Sequence, residues 1–289
     1  MQKNYSRASF CFKTSIVLLA LVSWGGCSKN EAVTPELSDH PEIYWWSPQD
    51  SSDINFGDYL TKVIVERIIG RPVTYKPLES SMPQCLFGGS VLHFARNDYI
   101  VWGAGFRDCP LEENRFSVLD VRAVRGPRSR EFLLKKNIKC PKIYGDPVLL
   151  LPRLFPELKR ETPIYDYIII PNIGEMESFA SYKNVVLPTS PWEEIVQKIL
   201  RSRLVISGSL HGLIVAEAFG VPARLLKMTW TEPLLKYSDY YESTDRPDFK
   251  YATSVQQALE LGGEEPGFID STPLLESFPW DYFIAGGKG

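Results

Sequence analysis

A chain of 289 residues can bury a core of its own in one large domain or in each of two modest ones, and 44% hydrophobic with 23% charged residues is an ordinary globular composition. A formal net charge of −3 provides no basic field for nucleic acid, so that class of partner is excluded. Five scattered cysteines (Cys11, Cys27, Cys85, Cys109, Cys140) and three histidines (His40, His93, His211) argue against a disulfide framework and a multi-histidine metal site.

In chain order, residues 1–37 form the first segment. Lys3, Arg7 and Lys13 precede an uncharged apolar run, TSIVLLALVSWGGC, of signal-peptide length and shorter than the roughly 20 residues that span a bilayer. The segment reads as a signal or membrane anchor, as a lipoprotein-type signal ending at Cys27, or as an upstream extension. Membrane association is therefore expected, with its orientation left open between the cytoplasmic face and the secretory lumen.

Beyond it the chain repeats one theme, an apolar strand, a small-residue turn and an amphipathic helix, which predicts α/β architecture with parallel sheets. Residues 38–157 read as a first Rossmann-like lobe. The strand EIYWWSP leads to the helix NFGDYLTKVIVERIIG, where Asp58 is the expected cap, Leu60, Val63, Ile64 and Ile68 the buried face, and Gly70 the stop. PVTYKP, QCLFGGSVL, YIVWGAGF and SVLDVRAVRG follow as strands, and Pro127 opens the helix PRSREFLLKK. A proline-rich stretch around Pro152 to Pro163 marks the join.

Residues 158–289 read as a second Rossmann-like lobe. YDYIIIPNI and RLVISGS are its strands, and Ser190, Pro191 and Glu193 predict a capped helix with Ile195, Val196, Ile199 and Leu200 on one face. A helix enters at His211 and stops at Gly220. The chain then reads as aromatic and irregular from Met228 to Asp248, helical at SVQQALEL, and proline-rich to its end.

Two helix entrances concentrate the chemistry, because a helix N-terminus presents unpaired N–H groups and partial positive charge to an anion. At the first, Arg122, Arg125 and Arg128 surround Gly126 and Pro127 at a strand's C-terminal end, and arginine grips carboxylate and phosphate with two prongs. At the second, Ser209 is the expected cap and His211 a candidate general acid/base, kept neutral by the positive helix end in an empty site.

Six pieces, NFGD at 55–58, GGSVLHFA at 88–95, VWGAGF at 101–106, VRAVRGPRS at 121–129, YGDP at 144–147 and SGSLHGLIVAEAFGVP at 207–222, fall in the order seen in the polysaccharide pyruvyl transferase family, which the chain resembles over residues 42–241. The resemblance implies a fold similar to the GT-B glycosyltransferases, two Rossmann-like lobes facing across a cleft. It further implies transfer of a pyruvyl group from phosphoenolpyruvate onto two hydroxyls of a sugar or polysaccharide, giving a cyclic ketal, with no cofactor or metal. His211 falls on the family's histidine and is expected to be catalytic with Arg125. Ser209, Gly212, Arg122, Arg128, Asn55, Asp58, Gly88, Gly89 and His93 are expected at the substrates. Many members carry arginine where this chain has Ser209, and Arg224 or Arg203 could supply that charge from elsewhere. Trp230, Tyr237, Tyr240 and Tyr241 are candidates for a sugar-stacking platform. A nucleotide-sugar glycosyltransferase and a non-catalytic glycan-binding relative are the alternative readings.

Overall fold

The computed structural model describes residues 41–47, 54–78, 84–108, 116–229, 232–267 and 270–284. The expected signal or anchor segment, His40, Cys11, Cys27, Cys109 and Trp230 lie outside the described residues. No helix among those described is long and apolar enough to cross a membrane.

The first half builds parallel strands from short apolar runs: β1 (Glu42–Ile43) beside β2 (Thr74–Tyr75), and β3 (Cys85–Phe87), β4 (Tyr99–Ala104) and β5 (Leu119–Val124) in that order. A parallel bridge from Tyr44 to Leu86 connects the two sets. The second half is a four-stranded parallel sheet of β6 (Ile168–Ile170), β7 (Val205–Ser207), β8 (Ala223–Leu226) and β9 (Tyr251–Ala252). The described α-helices are α1 (Phe56–Ile69), α2 (Pro127–Lys135), α3 (Leu151–Leu154), α4 (Trp192–Leu200), α5 (Leu210–Ala218), α6 (Leu235–Ser243), α7 (Val255–Leu261) and α8 (Thr272–Glu276), and because parallel strands need crossovers, α1, α4, α5 and α6 each connect two paired strands. The architecture is α/β with parallel sheets, of Rossmann-like kind.

Several local expectations change. Asn55, not Asp58, caps α1, its side chain accepting from the Gly57 N–H at 3.2 Å, because Asp58 already lies three residues inside the helix. Gly70 does end α1, at φ 73° in the left-handed region. The capping box at Ser190 does not form; Pro191 itself stands at the cap of α4 without a side-chain bond, since the helix begins only at Trp192. The stretch expected to be irregular from Met228 to Asp248 contains α6. Tyr237, Tyr240 and Tyr241 turn inward there with no more than 1% exposure, so they form no open platform.

One continuous cluster of buried side chains includes Phe56, Leu60 and Ile64 of α1, Leu150 and Leu151, Ile168 and Ile170 of β6, and Leu213 and Ile214 of α5. It joins elements on both sides of residue 157. The C-terminal stretch, grouped by sequence with the second lobe, returns to the first sheet: Trp102 Nε1 donates to Leu274 O at 2.8 Å, and Phe278 and Phe283 pack on Phe87.

Candidate active site

α1 and α5 bring their N-termini together around one imidazole. Ser209 caps α5, accepting from the Gly212 N–H at 3.4 Å, and places His211 in the first turn, 7% exposed. A Cβ added to Gly57 would lie 2.1 Å from His211 Nδ1, so only glycine at the second position of α1 lets the ring come this close. On the other side His211 Nε2 faces Asp146 Oδ2 at 3.5 Å, an ion-pair distance too long for a well-formed hydrogen bond. Both atoms are buried with no hydrogen-bond partner.

Asp146 comes from YGDP. Its Oδ1 accepts from the Val148 N–H at 3.0 Å, capping a 3-10 turn that Pro147 opens and that packs on α1 and α5. The helix end is expected to lower the His211 pKa, and the shift runs the other way. Burial opposes the imidazolium, but the Asp146 and Asp58 carboxylates outweigh it and raise the His211 pKa above its ordinary value. Burial acts on Asp146 too, yet His211 and the Val148 N–H hold its carboxyl below the usual carboxylate range. Asp58 moves the opposite way: burial pushes its pKa up to about 6 despite the field of His211. Two carboxylates around one imidazole thus have their pKa values pushed apart in opposite directions.

Gly88 and Gly89, both at positive φ, form the turn above Asp58. A Cβ at Gly89 would lie 3.0 Å from Asp58 Oδ1, and one at Gly88 would lie 2.8 Å from Pro147 Cδ, so this turn closes on the same site. Gly212 lies against β7, where a Cβ would meet Ser207 Oγ at 2.4 Å.

Arg125 is fully buried rather than open to a ligand. Its Nε donates to Asp239 Oδ2 at 3.1 Å, Nη1 to Ser90 Oγ at 2.7 Å and Nη2 to Phe106 O at 2.5 Å. Asp239 also accepts from the Ser129 N–H and hydroxyl. The guanidinium therefore braces the loops after β3 and β4 against α6, and its positive field reaches His211 and Asp146. Arg122 and Arg128 do not join it: Arg122 pairs with Asp120 and Asp281, and Arg128 with Glu242 on α6. His93 is exposed on a 3-10 turn and lies tilted at 44° against Phe94, ring centroids 3.9 Å apart.

Neither arginine considered as a substitute at Ser209 reaches this entrance. Arg224 is taken by Glu264 and the carbonyls of Gly262 and Lys250, and Arg203 lies at the surface near Asp166. The cation that does act here is Lys236 of α6, buried, paired with Glu232 at 2.5 Å and lowering the Asp58 pKa through its field. Among the described residues no group of three or more His, Cys, Asp or Glu side chains is arranged to hold a metal ion.

Ligands of open parallel α/β sheets lie beyond the carboxyl ends of the strands, and here those ends gather a buried histidine, two carboxylates and two cations. That defines an α/β protein with a polar site at its strand ends. Residues 33–227 match the polysaccharide pyruvyl transferase family, and the chain belongs to it. The family implies a transferase that acts on polysaccharide. The chain is 23% identical over 241 residues to an uncharacterized protein of Acanthamoeba polyphaga mimivirus, covering 72% of this chain and 78% of that one. It is also similar, at 12% identity and a TM-score of 0.47, to the crystal structure of a functionally uncharacterized protein from Klebsiella pneumoniae, covering 74% of this chain and 93% of that one.

Proposed function

We propose that the chain moves a pyruvyl group from phosphoenolpyruvate onto two hydroxyls of one sugar unit, forming a cyclic ketal and releasing phosphate. The observation that carries this reading is the buried His211–Asp146 contact, in which the facing carboxylate holds the imidazole toward its protonated form. An enol phosphate needs such an acid, because protonating its methylene carbon makes the carbon bearing carboxylate and phosphate electrophilic.

In the proposed sequence the His211 proton goes to that methylene carbon. One sugar hydroxyl then forms a C–O bond to the electrophilic carbon, and a second displaces phosphate as its C–O bond breaks. Of the two hydroxyl protons, one passes through Asp58 to restore His211, leaving Asp58 ionised again, and the other leaves on phosphate. Asp58, with a pKa of about 6, is the base that accepts a hydroxyl proton near neutrality. The charge of the donor is met by the N-terminal N–H groups of α1 and α5 and by protonated His211, with Arg125 and Lys236 contributing from behind. Arg125 acts in this scheme as a positioning residue, through Ser90 and the Gly88–Gly89 turn.

The test is incubation of the full chain with phosphoenolpyruvate and sugars bearing a free diol. Phosphate release matched by an acid-labile ketal is expected, and His211→Ala should lower kcat by roughly 100-fold or more, the usual worth of a positioned acid. Turnover with a nucleotide sugar and none with phosphoenolpyruvate would replace this reading with glycosyl transfer.

A further inference from the structure

Tyr237, Tyr240 and Tyr241 are buried, but among the described residues a group of partly open aromatic rings gathers at the ends of β1 and β2. Trp45 follows β1 and is half-buried; Tyr75 ends β2 and is 46% exposed; Tyr59 is half-buried on α1. The Trp45 ring stands against Tyr75 with centroids 4.9 Å apart at 70°, and against Tyr59 at 6.2 Å and 90°. Tyr44 closes one side, 6.1 Å from Tyr75, and Phe94 meets it edge-on at 6.4 Å with 37% exposure. Rings set edge to face leave an angular notch rather than a flat stack.

The notch and the candidate site flank the same first turn of α1, with Asp58 between them. Gly57 of α1 touches the His211 ring, Asp58 follows it, and Tyr59 touches Trp45. The field of Asp58 also reaches the Tyr44 hydroxyl, whose pKa burial and the neighbouring Tyr75 push upward. An exposed apolar surface beside a polar site calls for a ligand with both characters. A pyranose has them: an apolar C–H face that lies on an aromatic ring, and a rim of hydroxyls.

We propose that Trp45, Tyr75 and Tyr59 form the subsite for the acceptor sugar, seating its C–H face so that a hydroxyl pair points along α1 toward Asp58 and His211. The polar tips of the tyrosines and the edge of the Trp45 indole select a neutral hexose unit within a chain, with His93 and Phe94 flanking the next unit. This assignment rests on the transfer proposed above for the identity of the hydroxyl pair, and its binding test stands apart from that reading.

The experiment is saturation-transfer NMR of the full chain with lactose, cellobiose and mannobiose, run on wild type, Trp45→Ala, Trp45→Phe and Tyr75→Ala, with circular dichroism as the folding control. Transfer to the sugar C–H protons is expected for at least one disaccharide in wild type, reduced at least fivefold in Trp45→Ala and Tyr75→Ala and largely retained in Trp45→Phe. Steady-state rates with the sugar that binds should show a raised acceptor KM in the two alanine variants and an unaltered phosphoenolpyruvate KM. No transfer from any of the three sugars to wild type, or equal transfer in folded Trp45→Ala, overturns the subsite. Sugar binding that depends on Trp45 but brings no phosphate release from phosphoenolpyruvate would refute the transfer reaction and leave the subsite standing.

Discussion

His211, Asp146 and Asp58 titrate in one buried space, and the directions of their shifts fix how activity and stability follow pH. Asp58 must be ionised to act as base and His211 protonated to act as acid. The rate should therefore fall below about pH 6 and fall again as pH rises through the elevated value of His211, with Asp58→Asn removing the acidic limb; kcat measured from pH 5 to 9 checks both limbs. For stability, Asp58 has a folded value above its ordinary 3.8, so the folded chain holds an extra proton between that value and about 6. Its contribution is complete below 3.8, and on the order of 3 kcal/mol is lost as pH passes 6. His211 also lies above its ordinary 6.5, so its stabilisation is full below 6.5 and lost as pH climbs through the folded value. Asp146 lies below 3.8, and its contribution holds above 3.8 and is lost as pH falls through the folded value. Thermal melts should show wild type losing Tm from pH 4 to pH 8, with a shallower slope between 4 and 6 in Asp58→Asn; an equal slope would remove Asp58 from this account.

At the scale of elements, the site depends on how closely the first turn of α1 approaches α5. Gly57→Ala places a methyl group 2.1 Å from His211 Nδ1, and overpacking of this kind costs about 1–3 kcal/mol. The variant should remain folded while kcat falls at least tenfold, because the ring must swing away from Asp146; a normal kcat would show that the close approach has no catalytic role. The entrance of α5 was legible from Ser209, His211 and Gly220, which carry a cap, a polar residue where an apolar one would serve the fold, and a left-handed stop. Asp146 was not legible as a site residue. Its local pattern, an acid before proline, announces only a turn, and its partner is 65 positions away by the difference of 211 and 146, joined to it solely by packing of the turn on α5. Arg125 stands at a strand end, as its sequence neighbourhood indicates, but a sequence does not show that Asp239 will arrive from α6 to pair with it. The inward turn of Tyr237 and Tyr240 escaped notice because their hydroxyls are satisfied by distant groups, Gly208 O and Glu217 Oε2, each at 2.6 Å.

At the scale of the molecule, buried polar contacts tie the segments together. Asp239 meets Arg125, Ser129 and the backbone beside Gly126, where a Cβ would lie 1.8 Å from Asp239 O. Removing one partner of a fully buried ion pair costs about 3–5 kcal/mol. Asp239→Ala should therefore lower the urea midpoint much more than Arg128→Ala, whose pair with Glu242 is half-exposed and worth about 1 kcal/mol or less. Comparable midpoints would deny the Arg125–Asp239 pair its structural weight. The C-terminal stretch is a second tie. Phe283→Ala, deleting a ring that is 1% exposed beside Phe87 and Phe278, should cost about 3–5 kcal/mol, read as loss of urea midpoint at unchanged slope.

The sequence by itself determined the alternation of short apolar strands with amphipathic helices, and with it the parallel α/β class. It also determined the polar histidine at the entrance of α5 and, through six motifs in order, the family. These are local properties, carried by periodicity, caps and neighbouring residues. Only the tertiary structure decided that the His211 pKa is raised rather than lowered, that Arg125 is braced rather than open, and that aromatic rings are exposed at Tyr75 and half-exposed at Trp45 while Tyr237 and Tyr240 are buried. Each of those outcomes depends on which distant group arrives within a few ångströms in a dry interior, as when Asp146 and Asp58 outweigh the burial of His211.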